Sequence, residues 1–335
     1  MDFLRRFRRA TEAASDKAVA LPAHDIAMHW RVESSMPIPD WDALWNAAPG
    51  TAEAPAALHE YSLQAAQAWL HALKTHLGAS YATSASEHFL LLSPLPPRSA
   101  NLTLQACERM RHRILRALPD IAGTQGYGPH VVLVFDTHDA YYAYIDNYYT
   151  EPGEYAYSSG MFLQYGYGHF VFAMDQLATM EPIIAHELTH CLVAHLSLPA
   201  WLNEGTAVGM EKRLCPRGAD PRDAAFALRE RTAKRTAFWN EVTIQQFWSG
   251  KSFMRPDEGN MLSYELGEDL TRLLSRDYDR FAAFANAARR EDSGAAAASG
   301  CLGIELGDAA AAILGDGDWQ PRPECWHEGV ERGQF

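Results

Sequence analysis

The chain has little positive charge. Lysine and arginine together number 29, against 42 aspartate and glutamate residues, which gives a formal net charge of −13. Nucleic-acid binding depends on a basic surface that neutralises phosphates. The charge balance therefore argues against nucleic acid as the principal partner.

Cysteine is also scarce, with five widely spaced residues among 335. An odd number at such spacing does not indicate a disulfide framework. Long apolar stretches are absent as well: no run reaches the roughly 18 residues of a transmembrane helix, so we expect no integral membrane segment. The basic residues 1–9 are not followed by the apolar core of a secretory signal. We expect a cytoplasmic protein with reduced thiols, and the sequence does not indicate its oligomeric state.

The most informative stretch is residues 186–190, which read His-Glu-Leu-Thr-His. At a spacing of four residues, His186 and His190 project from the same face of a helix and can hold one zinc ion, while Glu187 can lie beside a metal-bound water. The surrounding residues are apolar enough for a core helix, which would give such a site rigid support. The alternative is a chance occurrence, since short patterns also arise in helices that bind no metal.

Two glutamates on a second predicted helix complete the candidate site. Glu204 is the predicted third ligand, because two histidines and a carboxylate leave the fourth zinc position open for water or substrate. Glu211 lies two helical turns further on, where it could accept the remaining ring N–H of a ligand histidine. The alternative is that both are ordinary solvated charges. The sequence thus predicts one Zn²⁺ per chain.

Three segments resemble the gluzincin metallopeptidases, and most closely their peptidase-MA-like branch. The first is residues 186–190, the second reads Leu-Pro-Ala-Trp-Leu-Asn-Glu-Gly over 198–205, and the third reads Tyr-Glu-Leu-Gly over 264–267. The resemblance implies that Glu204 is a zinc ligand and that Tyr264 stabilises an oxyanion. Glu187, beside the expected metal-bound water, is the predicted general base. It also implies an α+β fold in which a small mixed sheet packs on the active-site helix and a mostly helical part follows. Tyr264 could instead be an aromatic residue that packs on the core.

One departure from the family bears on the substrate. Where aminopeptidases of this superfamily have a Gly-x-Met-Glu-Asn motif that grips a free amino group, residues 159–163 read Ser-Gly-Met-Phe-Leu, with Phe162 in place of the glutamate. We therefore expect a zinc-dependent peptidase that acts on peptides or proteins, with endopeptidase activity favoured. An aminopeptidase, a non-catalytic or regulatory zinc-binding protein on a gluzincin scaffold, and a zinc-free scaffold remain as alternatives.

The expected organisation is an N-terminal helical extension over 1–80, a peptidase domain over 81–290 and a small C-terminal element over 291–335. Within the peptidase domain, we expect a sheet part over 81–178 and a helical part over 179–290. Hydrophobic periodicity and turn residues place the individual elements. Besides the two helices of the candidate site, the predicted helices are 55–77, 102–118, 221–238, 258–276, 278–290 and 304–314, and the predicted strands are 87–93, 130–135 and 168–173.

The resemblance to gluzincins implies that an edge strand of the sheet lines the cleft, and the last of these strands is expected in this role. Its residues Gly168, His169 and Phe170 are predicted to pair with the main chain of an extended substrate. The interval 141–167 is rich in tyrosine, which offers a broad apolar face and a hydroxyl. Two interpretations of this tyrosine-rich interval are equally supported by the sequence. It could form a wall of a peptide-binding cleft, or its loops could pack against the sheet.

Overall fold

The structure is a computed structural model that describes residues 26–32, 34–49, 55–124, 128–149, 160–163, 165–174, 180–216 and 232–326. Helices predominate among these residues, and a small mixed sheet of five strands accompanies them. The predicted α+β class is confirmed at this level. The segments 1–25 and 221–231, and Tyr155 and Tyr157 of the tyrosine-rich interval, lie outside the described residues.

The sheet has the strand order β1-β2-β3-β5-β4. Strands β1 and β2 are antiparallel, whereas β2 pairs with β3, and β3 with β5, in parallel. Nearly every residue of β2, β3 and β5 is buried. Such continuous apolar runs are typical of parallel strands that are covered on both faces. The strands are β1 (Ala82–Ala85), β2 (Phe89–Ser93), β3 (His130–Phe135), β4 (Gly160–Leu163) and β5 (His169–Ala173).

The longer helices alternate with these strands and then dominate the second half of the chain. They are α1 (Trp41–Ala47), α2 (Pro55–Leu77), α3 (Pro97–Ala117), α4 (His138–Ile145), α5 (Met180–Val193), α6 (Ala200–Leu214), α7 (Thr243–Trp248), α8 (Glu258–Leu274), α9 (Tyr278–Ala287) and α10 (Leu306–Leu314). Residues 232–238 are also helical. No single described helix has both the length and the apolar character of a membrane span; the bent pair 295–302 and 306–314 meets these criteria only when the two are joined.

The chain folds as two compact units. The first is formed by residues within 1–108, 127–152 and 165–176, and the second by residues within 109–126, 153–164 and 177–335. The core of the first unit includes the fully buried side chains of Trp41, Trp69 and Tyr144. The core of the second includes those of Trp201, Trp248 and Phe284. All of the predicted metal ligands belong to the second unit.

Several element boundaries differ from the sequence-based expectation. Helix α3 begins at Pro97 and not at Leu102. Proline is well tolerated at the first helical position, because the main-chain N–H that it lacks would have no hydrogen-bond partner within the helix there. Strands β1 and β4 were not expected; each has only four residues, too few for a hydrophobic period to be recognised. Helix α9 ends at Ala287, three residues earlier than expected.

The expectation of an edge strand at 168–173 is wrong, because β5 is an inner strand of the sheet. Its main-chain groups pair with β3, from Val131 opposite His169 to Phe135 opposite Ala173. The side chain of His169 is fully buried and that of Phe170 is 2% exposed. These two residues are therefore not available to bind an extended substrate, whereas the role of Gly168, directly before the strand, stays a prediction.

His169 instead belongs to a buried hydrogen-bonded group. Its Nε2 lies 2.7 Å from the hydroxyl of Tyr144, and its Nδ1 lies 2.6 Å from the main-chain oxygen of Tyr167. Burial lowers the pKa of His169 to about 4, so the ring is neutral at physiological pH. Tyr141 is also fully buried, and Tyr167 is 6% exposed. For these tyrosines, packing is the interpretation that the structure favours.

Candidate metal-binding site

Helix α5 presents both histidines of the predicted site. Ile184, Leu188 and Leu192, spaced one turn apart, are buried and fix the helix in the core. On a neighbouring face His186 and His190 are only partly buried, with their ring centroids 4.9 Å apart. The anchored face thus holds the two imidazoles one helical turn apart.

Helix α6 supplies the carboxylate. Trp201, in its first turn, is fully buried, and its indole N–H donates to the main-chain oxygen of Ser293 at 3.0 Å. Leu202 is also fully buried. These contacts fix the start of the helix, and Glu204 follows less than one turn later. Helices α5 and α6 pack against each other, which brings Glu204 to the histidines.

His186, His190 and Glu204, which we call the metal triad, form a close cluster. The Nε2 atoms of His186 and His190 lie 3.2 Å apart. Glu204 Oε2 lies 3.4 Å from Nε2 of His186 and 3.3 Å from Nε2 of His190. Ligand atoms of a tetrahedral metal with bonds of about 2.0–2.1 Å are roughly 3.3–3.4 Å apart. The three atoms therefore have the spacing of one face of a tetrahedron. The group could hold a metal ion.

The carboxylate oxygen at the centre of this cluster supports the same conclusion. Glu204 Oε2 is buried and accepts no well-formed hydrogen bond within the described part of the chain. A buried carboxylate oxygen without a donor is unfavourable, and such an atom calls for an explanation such as a bound ion. A metal ion would be the missing partner of this oxygen.

The electrostatics also suit a cation. Burial alone would lower the pKa of His186, but the nearby carboxylates of Glu204 and Glu211, which favour the protonated ring, outweigh it and raise that pKa to about 10. Burial would raise the pKa of Glu204, yet the two histidines hold it below its usual range. The carboxylates of Glu187, Glu204 and Glu211 thus lie near the two imidazoles. A divalent cation would offset this excess of negative charge.

Each histidine has a partner for its second ring nitrogen. Glu211 Oε2 lies 3.5 Å from Nδ1 of His186, and Asn203 Oδ1 lies 3.1 Å from Nδ1 of His190. With Nδ1–H donating to these oxygens, each Nε2 keeps its lone pair for a metal. Glu211 was predicted for this role. Asn203 was not, and only its place beside Glu204 could have suggested it.

Glu187 is held beside the triad by a main-chain contact. The N–H of Phe162, in β4, donates to Glu187 Oε2 at 2.8 Å. Burial raises the pKa of Glu187, against the opposing effect of both histidines. A carboxylate with a raised pKa is suited to accept and return a proton near neutral pH. The hydrogen bond from Phe162 was not expected from the sequence.

Tyr264 lies on helix α8, with its ring centroid 6.5 Å from that of His186. Phe253 contacts the same ring edge to face at 5.2 Å. Burial, and then the negative charges of Glu204 and Glu187, raise the pKa of Tyr264 well above its usual value. The hydroxyl therefore stays protonated and can donate a hydrogen bond.

No protein-family model matches this chain, and no similar sequence is found among the curated proteins.

Proposed function

We propose that the protein is a zinc-dependent hydrolase that cleaves internal peptide bonds. The supporting observation is the metal triad, with Glu187 next to it in the sequence on the same helix. Three protein ligands with an open fourth position are typical of catalytic zinc, whereas structural zinc sites are usually closed by four protein side chains. A structural site also has no need of a partly buried carboxylate such as Glu187 beside the metal.

The donor set favours zinc over the other common divalent ions. Calcium and magnesium prefer sites made of oxygen atoms, whereas imidazole nitrogens suit zinc. When bound by the metal triad, zinc would polarise the scissile carbonyl and lower the pKa of water.

The other roles fall to residues of the chain. Glu187 takes a proton from the attacking water and delivers it to the leaving amine, a transfer for which its raised pKa is suited. Tyr264 donates a hydrogen bond to the oxygen on which negative charge develops. Glu211 and Asn203 hold the two imidazoles in the orientation that this chemistry needs.

The residues of β4 favour an endopeptidase. This strand reads Gly-Met-Phe-Leu over 160–163, and the N–H of Phe162 contacts the proposed base. None of its side chains carries a negative charge that could pair with a free amino terminus. Recognition through the peptide main chain and apolar side chains is therefore the simpler interpretation.

The test is digestion of a library of N-acetylated peptides, followed by mass spectrometry. We expect cleavage by the zinc-loaded protein and a rate at least about 100-fold lower for Glu187→Gln, with zinc retained. The matched control is Glu181→Gln, because Glu181 lies on the same helix, is exposed and pairs only loosely with Arg109 at 3.7 Å. Equal rates for Glu187→Gln and the parent would refute the role of Glu187. Stoichiometric zinc without any cleavage would favour a non-catalytic zinc-binding protein.

A further inference from the structure

Helices α6 and α8 touch through their main chains at two glycines. A Cβ atom added at Gly205 would lie 2.2 Å from the main-chain oxygen of Gly267 and 2.5 Å from its carbonyl carbon. A Cβ atom added at Gly267 would lie 2.8 Å from the main-chain oxygen of Trp201. Because the opposing atoms belong to the backbone, no side-chain rotation can relieve these contacts. Any larger residue must push the helices apart.

The two glycines at this crossing are close in sequence to two functional groups of the proposed site. Gly205 directly follows Glu204, which is a member of the metal triad on α6. Gly267 lies three residues after Tyr264 on α8, less than one helical turn away. The closeness of the two helices thus sets how far the Tyr264 hydroxyl stands from the triad.

We propose that Gly205 and Gly267 are positioning residues, which hold Tyr264 at its working distance from the metal triad. This inference rests on the role proposed for Tyr264 above. It assigns to the two glycines a function beyond helix packing: a change at either one alters the placement of the oxyanion donor and leaves the metal ligands in place.

The size of the effect follows from the contact distances. Real Cβ atoms essentially never approach other heavy atoms closer than 3.0 Å, so Gly205→Ala requires a shift of about 1 Å between α6 and α8. A misplacement of about 1 Å in a catalytic arrangement can lower a rate by about 100-fold. The triad residues are on α5 and α6, which this clash does not separate, so zinc affinity should stay the same.

Gly209 provides a matched control on the same helix. A Cβ atom there meets nothing within 4 Å, and Gly209→Ala brings the same gain in helix propensity as Gly205→Ala. We expect kcat to be unchanged in Gly209→Ala, several-fold lower in Gly267→Ala and about 100-fold lower in Gly205→Ala, since the required shift grows in that order. KM should change by less than about three-fold in all three variants, because the substrate contacts remain.

Two measurements do not depend on catalysis. Crystal structures should show the distance between the rings of His186 and Tyr264 growing by about 1 Å from 6.5 Å in Gly205→Ala and staying constant in Gly209→Ala. Zinc affinity, measured by competition with a chelator, should be the same in both. If Gly205→Ala does not fold, Gly267→Ala provides the same comparison with a smaller shift.

A double variant separates positioning from a general structural defect. Gly205→Ala combined with Tyr264→Phe should be about as slow as Tyr264→Phe alone, because residues that act through one another are not additive. Multiplied defects, an unchanged ring distance in a slow Gly205→Ala, or zinc affinity that falls together with kcat would each overturn the proposal. If the parent protein cleaves no peptide, the proposed function fails, whereas the ring distance and the zinc affinity still test the positioning.

Discussion

The contact between Glu211 and His186 allows a graded test of the metal site. Glu211→Gln keeps an oxygen that can accept from Nδ1–H but loses the charge, whereas Glu211→Ala removes both. Loss of a carboxylate that orients a ligand histidine typically lowers metal affinity by 10–100-fold. This range corresponds to about 1.4–2.7 kcal/mol of binding free energy.

The geometry of the contact between Glu211 and His186 indicates how large a loss of zinc affinity each variant should show. The 3.5 Å separation is longer than a strong hydrogen bond, and the Glu211 side chain is 30% exposed, so solvent screens part of its charge. We therefore expect a loss of about 10-fold for Glu211→Gln and nearer to 100-fold for Glu211→Ala. Zinc dissociation constants from competition with a chromogenic chelator would measure both.

The control for this test is Glu268→Gln. Glu268 is on α8 and pairs with Lys212, the residue after Glu211, so the change removes a negative charge from the same pair of helices without contacting a histidine. We expect it to leave zinc affinity within about three-fold of the parent, as for a partly exposed ion pair. Unchanged affinity in Glu211→Ala, or an equal loss in Glu268→Gln, would refute the orienting role of Glu211.

Two further predictions concern the substrate and the stability of the first unit. An N-acetylated peptide should be cleaved about as fast as the same peptide with a free amino terminus, because β4 carries no carboxylate; a strict requirement for the free amine would instead indicate an aminopeptidase. Because burial lowers the pKa of His169 from 6.5 to about 4, the unfolded chain binds the proton more readily, so stability is full above about pH 6.5 and is lost as the pH falls to about 4. Urea unfolding should show a loss of up to about 3 kcal/mol over this interval, reduced in His169→Gln; an equal loss in that variant would show that another group is responsible.

The sequence predicted those parts of the site that depend on local geometry. His186 and His190 share a face because any helix brings together residues four apart, and the seven-residue interval places Glu211 on the same face as Glu204. The pairing of Glu204 with the histidines depends on how α5 and α6 pack, and there the sequence offered only the donor set that catalytic zinc prefers and the resemblance to a known family.

Tertiary features without a local signal were missed. The N–H of Phe162 reaches Glu187 through the main chain, so no side-chain pattern marks the contact. The apolar run at 168–173 correctly indicated a strand, although not its burial. Its inner position in the sheet depends on β4, whose four residues lack a recognisable period. The contact between Gly205 and Gly267 likewise depends on the crossing of two helices that are distant in sequence.

The most direct test of the central claim is anomalous X-ray diffraction from crystals of the purified protein, recorded on both sides of the zinc absorption edge. We predict one peak in the second unit, at about 2.0–2.2 Å from Nε2 of His186, Nε2 of His190 and Oε2 of Glu204, with no fourth protein ligand. Absence of a peak within bonding distance of these atoms after zinc loading would contradict the assignment of a catalytic zinc site. So would a zinc ion whose fourth coordination position is occupied by a protein side chain.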